Sequence, residues 1–112
     1  MLTEEQAIQL ATTPEKITDE RDINTIISYL NGYIGDLEED RFEKELVASQ
    51  FKVSLLRDKT KSVALAEAEF KVSEEYIAWQ KAINLKRQYS AYRQSLRERG
   101  EIFMHSSKFI HR

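Results

Sequence analysis

Residues 61–100 run KSVALAEAEFKVSEEYIAWQKAINLKRQYSAYRQSLRERG, forty positions with no proline and no glycine before the last. Such a stretch predicts one long helix, because the two residues that most disfavour a helix interior are missing from it. Ala78, Ala82, Leu85, Tyr89, Tyr92, Leu96, Arg99 and Phe103 follow one another at alternating steps of four and three. That is the spacing of a helix seam that packs on another helix. Lys81, Lys86, Arg87, Arg93 and Arg97 lie off the seam, so a packing stripe and a basic surface share the helix.

The rest of the composition agrees with helices. Three glycines and one proline are few for a sheet protein, which needs turn residues every ~8–12 positions. With 32% charged and 41% hydrophobic residues, the chain reads as helix-rich rather than disordered. Its 112 residues fit one helical domain. The absence of cysteine rules out disulfides and thiolate metal sites. No apolar run approaches the ~18 residues of a membrane span, and the N-terminus MLTEEQ lacks a signal peptide's basic start. No membrane association and a cytoplasmic location are expected.

Charge is unevenly spread. Residues 1–50 carry a net −8, residues 51–80 balance, and residues 81–112 carry +6. This polarity serves self-association, or presents a basic end to an anion such as nucleic acid, or simply lets acidic and basic helices neutralise each other in one bundle.

From the N-terminus, Thr3 and Gln6 form a capping-box pattern that opens a short helix within residues 1–13. Residues 14–57 form an acidic helical half, with Thr18 and the acids after it as its stronger start. Ile23, Ile26, Ile27, Leu30, Ile34 and Leu37 hold helical spacing across Gly32 and Gly35. The glycines predict a bent or loosened helix, reflecting either close helix approach or a tolerated weak spot. Residues 36–45 read as a solvated charge run. Phe42, Leu46, Val47, Phe51, Val53, Leu55 and Leu56 follow in a less regular order, so the partners change along this helix. Residues 57–61, RDKTK, are the expected turn. Reversal there pairs an acidic helix with the 61–100 helix in an antiparallel hairpin. Gly100 is the expected stop of that helix, and residues 101–112, with Ile102 and Phe103, form an apolar tail that packs back or joins a neighbouring subunit.

Chemistry is harder to place. The two histidines, His105 and His111, have no glutamate three residues before them, and no HExxH or glycine-rich phosphate loop occurs. No catalytic residue, metal or cofactor is expected, and the protein is read as not an enzyme. The binding signal is stronger. Tyr76, Trp79, Tyr89 and Tyr92 interleave with Lys81, Lys86, Arg87, Arg93, Arg97 and Arg99. Cations along a strand with aromatics under its bases are the means of gripping single-stranded nucleic acid. The tyrosines also lie on the seam, and Trp79 falls on a second stripe with Val72, Tyr76 and Ile83, so burial competes with stacking. Lys52, Arg57, Lys59 and Lys61 form a second basic cluster around the expected turn.

Lys61-Ser62-Val63-Ala64-Leu65, the helix bearing Trp79, and Arg97-Glu98-Arg99-Gly100-Glu101-Ile102 followed by His105 resemble, in that order, the UvsY family of phage recombination mediators. The resemblance covers roughly residues 20–108. It implies an all-helical, non-enzymatic protein that oligomerises through its C-terminal part and binds single-stranded DNA. Such a protein helps load a recombinase onto DNA covered by single-strand-binding protein. The family's DNA-contact segment falls around Lys59 and Lys61, but Ala66 and Glu67 stand where further basic residues belong. That moves the site toward Arg57, Lys59 and Lys61.

The sequence therefore predicts an all-α homo-oligomer of two long helices with a short N-terminal helix and a helical tail. Arg57, Lys59 and Lys61 are the primary nucleic-acid contacts, with Lys86, Arg87 and Arg93 as a second patch. Ala82, Leu85, Tyr89, Tyr92, Leu96, Ile102 and Phe103 are the packing and oligomerisation residues. Single-stranded DNA, a recombinase and a single-strand-binding protein are the expected partners, in a host's cytoplasm if the gene is a phage's. The alternative is a coiled-coil structural or adaptor protein, such as a virion component or host-enzyme inhibitor, that binds no nucleic acid.

Overall fold

The chain's computed structural model describes the backbone of residues 1–110 and the side chains of residues 1–101. Four α-helices and one 3-10 turn make up the described residues, with no strand among them: α1 (Glu4–Thr12), the turn Pro14–Lys16, α2 (Arg21–Arg57), α3 (Val63–Lys71) and α4 (Glu74–Ile110). The long helices α2 and α4 pack together, as an all-α hairpin requires. The chain divides into two compact units. One comprises Met1–Gly35 with the end of the chain from Gln88, and the other comprises Asp36–Arg87.

In the first unit the expected capping box is complete. Gln6 N donates to Thr3 Oγ1 at 3.2 Å, and Thr3 N donates to Gln6 Oε1 at 3.0 Å. Two of the helix's orphan donors are thereby satisfied. Ala7 and Ala11, one turn apart, are buried, and Ile8 and Leu10 pack beside them. Pro14 opens the 3-10 turn, where its missing N–H costs nothing. The start of α2 differs from expectation. Asp19, not Thr18, accepts from Arg21 N at 3.0 Å and also binds the Arg21 guanidinium. A carboxylate at a helix start carries full charge toward the positive end of the dipole, which a hydroxyl cannot.

Ile23, Ile26, Leu30 and Ile34 of α2 join Ala7, Ala11, Ile17 and Leu96 in one buried cluster. Tyr29 donates its hydroxyl to Leu2 O at 3.3 Å, tying the chain start to α2. Helix α2 passes through Gly32 and Gly35 without a break. A Cβ at either glycine would meet nothing within 4 Å, so they permit no close approach and are weak spots that the helix tolerates. Helix α4 continues through Gly100, where a stop was expected. No glycine has positive φ, so Gly100 does not adopt the left-handed cap that would end the helix. A Cβ there would lie 3.6 Å from Ile23 Cγ2, which also sets α4 antiparallel to α2 in this unit, alongside the Asn31–Arg93 and Tyr33–Tyr89 contacts.

In the second unit α2 runs to Arg57 and the chain turns at residues 58–62. The predicted turn forms because the Asp58 carboxylate accepts from both Thr60 N (3.0 Å) and Thr60 Oγ1 (2.6 Å). Ser62 then caps α3 by accepting from Leu65 N at 3.1 Å. The expected continuous helix over 61–100 is interrupted at Val72–Ser73. Ser73 Oγ donates to Phe70 O at 2.6 Å and accepts from Tyr76 N at 3.2 Å, so one hydroxyl closes α3 and opens α4. Glu74 and Glu75 then occupy the first turn of α4. A hydroxyl followed by two acids is a helix-start signal. The core of this unit is mostly small: Leu37, Ala48, Ala66, Phe70 and Ala82.

Candidate nucleic-acid interface

The primary basic cluster lies at the turn after α2. Arg57 is the last residue of α2, and a cation there is favoured by the negative end of the helix dipole. Lys59 follows in the turn itself. Both side chains are exposed, and neither has an ion-pair or hydrogen-bond partner among the described residues. Lys61 is held differently. Its ammonium binds the Glu69 carboxylate of α3, which raises the lysine above its ordinary range. Asp58 stands among these cations with its carboxyl held below its ordinary value, chiefly by the Thr60 hydroxyl. The turn thus presents two unpaired cations outward and draws the third back. Lys52, on the last turns of α2, is also committed internally, its ammonium 5.4 Å from the centre of the Phe70 ring.

The second patch is not one surface. Lys86 forms an ion pair with Glu38 of α2. Glu38 also binds Arg41 at 2.7 Å, and Arg41 reaches Glu45 at 2.8 Å. In this network Glu38 falls to about 2, first through the Arg41 guanidinium and then through Lys86, while Arg41 is raised by its two carboxylates. Arg87 is exposed without a partner among the described residues. Arg93 belongs to the other unit, where it donates to Asn31 Oδ1 at 3.0 Å. Within the second unit the structure does not bring the patches together. Glu38, which anchors Lys86, lies nineteen residues up α2 from Arg57, or ~28 Å along the axis.

The aromatic residues are packed rather than presented. Tyr89 meets Tyr33 edge-on with ring centroids 4.8 Å apart, and meets Tyr92 at 5.3 Å. Burial raises the Tyr89 phenol above its ordinary range. Tyr76 stands edge-on to both Phe70 and Trp79, and the Trp79 indole N–H is buried without an acceptor among the described residues. Val72, expected on the Trp79 stripe, is exposed because the helix breaks there.

Among the seam residues, Ala82 and Leu96 are buried within the chain itself, Tyr89 and Tyr92 border the core of the first unit, and Leu85 is exposed. The side chains of Ile102 and Phe103, and those of both histidines, lie outside the described residues. Sequence reasoning missed the four-residue network. Its Glu38, Arg41 and Glu45 stand at steps of three and four, a spacing that pairs charges along a helix, but Lys86 has no such local sign.

Among the described residues no group of three His, Asp or Glu side chains is placed to hold a metal, and no helix is long and apolar enough to cross a membrane. No family model, curated protein or solved structure matches the chain.

Proposed function

We propose that this is a non-enzymatic, self-associating accessory protein that binds single-stranded DNA and assists the loading of a recombinase in phage-type recombination. The observation that carries the reading is the turn after α2, where Arg57 and Lys59 stand exposed without counter-ions among the described residues. Exposed cations without a carboxylate partner are free to displace counterions from phosphates, whereas Lys61 and Lys86 must first leave a carboxylate. The order of motifs shared with the UvsY family supports the same reading. The strand is gripped through its backbone, since Tyr89 and Tyr92 are spent on packing. A recombinase and a single-strand-binding protein are the protein partners in this scheme, and the host cytoplasm is its setting.

Titration of the full chain against a labelled oligonucleotide at rising salt tests it. Binding should weaken with a linear log–log slope, and Arg57→Ala with Lys59→Ala should lower that slope by about 1 per cation removed. Lys61→Ala should change it less, because its charge is already matched by Glu69. Absence of binding at ~50 mM salt, where phosphate contacts are strongest, overturns the proposal.

A second reading, a coiled-coil adaptor without nucleic acid, is favoured by one observation. Ten large hydrophobic side chains of the second unit are exposed. In that case oligonucleotide binding is absent while self-association persists.

A further inference from the structure

Within the second unit, α2 carries an apolar stripe that none of the described residues covers. Phe42, Leu46, Val53 and Leu56 are 62%, 51%, 44% and 45% exposed. With exposed Ser49 they follow at steps of four, three, four and three. At ~100° per residue these five positions fall within an arc of about 80°, the seam of a coiled coil two heptads long. The side chains that α2 does bury in this unit, Leu37 and Ala48, point to a different flank, toward its hairpin partner. An exposed row of this kind marks an interaction surface.

Charge selects the occupant and its direction. The stripe begins among exposed Glu39 and Glu43 and ends beside exposed Arg57, none of them with an ion-pair partner among the described residues. Glu38, Glu39, Phe42 and Glu43 line a shallow depression at the beginning. A parallel, in-register copy would bring both sets of Glu39 and Glu43 to one end and both Arg57 side chains to the other, like charge beside like. An antiparallel copy sets each acidic end against the other's basic end.

We infer that two copies of this chain associate through α2, antiparallel about a two-fold axis near Ser49, with Arg57 of each entering the acidic depression at Glu39 and Glu43 of the other. A two-fold contact needs one self-complementary patch, and an apolar stripe that is acidic at one end and basic at the other is such a patch. In the dimer Arg57 is matched by the Glu39 and Glu43 carboxylates of the other copy. Lys59, past the end of the stripe, is then the turn cation left for phosphate, and the Arg57→Ala share of the salt slope is expected of the monomer. The inference identifies a surface for the self-association proposed above but does not rest on nucleic-acid binding. It also places an interface away from the C-terminal seam, whose Ala82 and Leu96 are already buried within the chain.

The chain has no cysteine, so single-cysteine variants report without background. Ser49→Cys should form a disulfide-linked dimer under mild oxidation, because a residue near the axis meets its own copy. Glu43→Cys and Arg57→Cys should each cross-link poorly alone and efficiently when mixed, read by mass spectrometry. Sedimentation without DNA should show at least twice the 13.1 kDa of one chain, and Leu46→Glu should lower the mass with helicity unchanged. A wild-type mass of one chain at high micromolar concentration overturns the pairing, as does an unchanged mass for folded Leu46→Glu. Self-linked Glu43→Cys exceeding the mixed product overturns the antiparallel direction. A monomer that still binds oligonucleotide removes this interface alone, and a dimer that binds none removes the nucleic-acid reading alone.

Discussion

Ile26 and Leu46 lie on the same helix, twenty residues apart, in opposite surroundings. Ile26 is wholly buried in the first unit, while Leu46 is half exposed in the second. The difference is one of layers. In the first unit α1 supplies a third element, and Ala7 and Ala11 complete a cluster with α2 and the later part of α4. In the second unit α3 and the early part of α4 follow one another along α2, at Lys52–Phe70 and then Glu38–Lys86, and so make one facing layer, through a core in which three of five members are alanines. Two helices in contact cover one stripe on each. A second apolar stripe on either stays wet until a further layer arrives. The four largest fully buried side chains, Ile23, Ile26, Leu30 and Leu96, are all in the three-layered unit.

The largest effect expected from this contrast comes from equal truncations on the two sides. Leu30→Ala should cost about 2–5 kcal/mol, the range for emptying a packed leucine site. Leu46→Ala should stay within about 0.5 kcal/mol under conditions where the chain is monomeric, because an exposed side chain leaves no cavity. Urea unfolding of both variants measures this, and equal losses would break the comparison. Native-state hydrogen exchange sharpens it. Core amides of residues 23–34 should open only with global unfolding, and those of residues 42–56 at lower free energy.

The glycines come next. Because a Cβ at Gly32 or Gly35 meets open space, alanine at each should stabilise by about 1 kcal/mol through the helix term alone. Gly100→Ala should stabilise as well, since its Cβ would reach Ile23 at ordinary van der Waals distance. A rise in Tm for all three is the expected result. A fall at Gly100 would show that α4 ends there, as the sequence pattern alone implies. Loss of the capping box in Thr3→Ala should cost about 1 kcal/mol, felt in the first unit because α1 is its third layer.

These cases also show which parts of the structure could be read in the sequence. Local chemistry was legible: the Thr3–Gln6 box, the Asp58–Thr60 turn and the Ile23–Leu37 face each rest on residues a few positions apart. The break at Val72–Ser73 was equally local, since Ser-Glu-Glu is a start signal, but an unbroken run of helix formers masks it. Gly100 misled because a glycine ends a helix only when it adopts positive φ, and here it keeps the helical backbone. The apolar residues 42–56 read as irregular because two faces are superimposed there. Phe51 and Leu55 turn partly inward, while Phe42, Leu46, Val53 and Leu56 turn out, and only their burial separates the stripes. For the basic site, the sequence identifies the cations but not their counter-ions. Lys61–Glu69 spans eight residues and Lys86–Glu38 forty-eight, so which charges remain free is a property of the fold.

The smallest effect expected in the second unit belongs to its charge network. Glu38 sits at about 2 instead of its ordinary 4.5, because Arg41 and Lys86 both favour its ionised form. A carboxyl lowered on folding contributes stability that is complete above about 4.5 and disappears as pH falls toward 2. Glu38→Gln removes that contribution. The Tm gap between wild type and variant should therefore be widest near pH 6, narrow through pH 4 and close near pH 2. The gap should be small, since Glu38 is 40% exposed and solvent screens the pair, and added salt should reduce it further. A gap independent of pH would show that Arg41 and Lys86 do not hold Glu38 in solution. In that event the early part of α4 would have lost its only ion pair to α2 among the described residues, leaving the small alanine-rich core to hold it there.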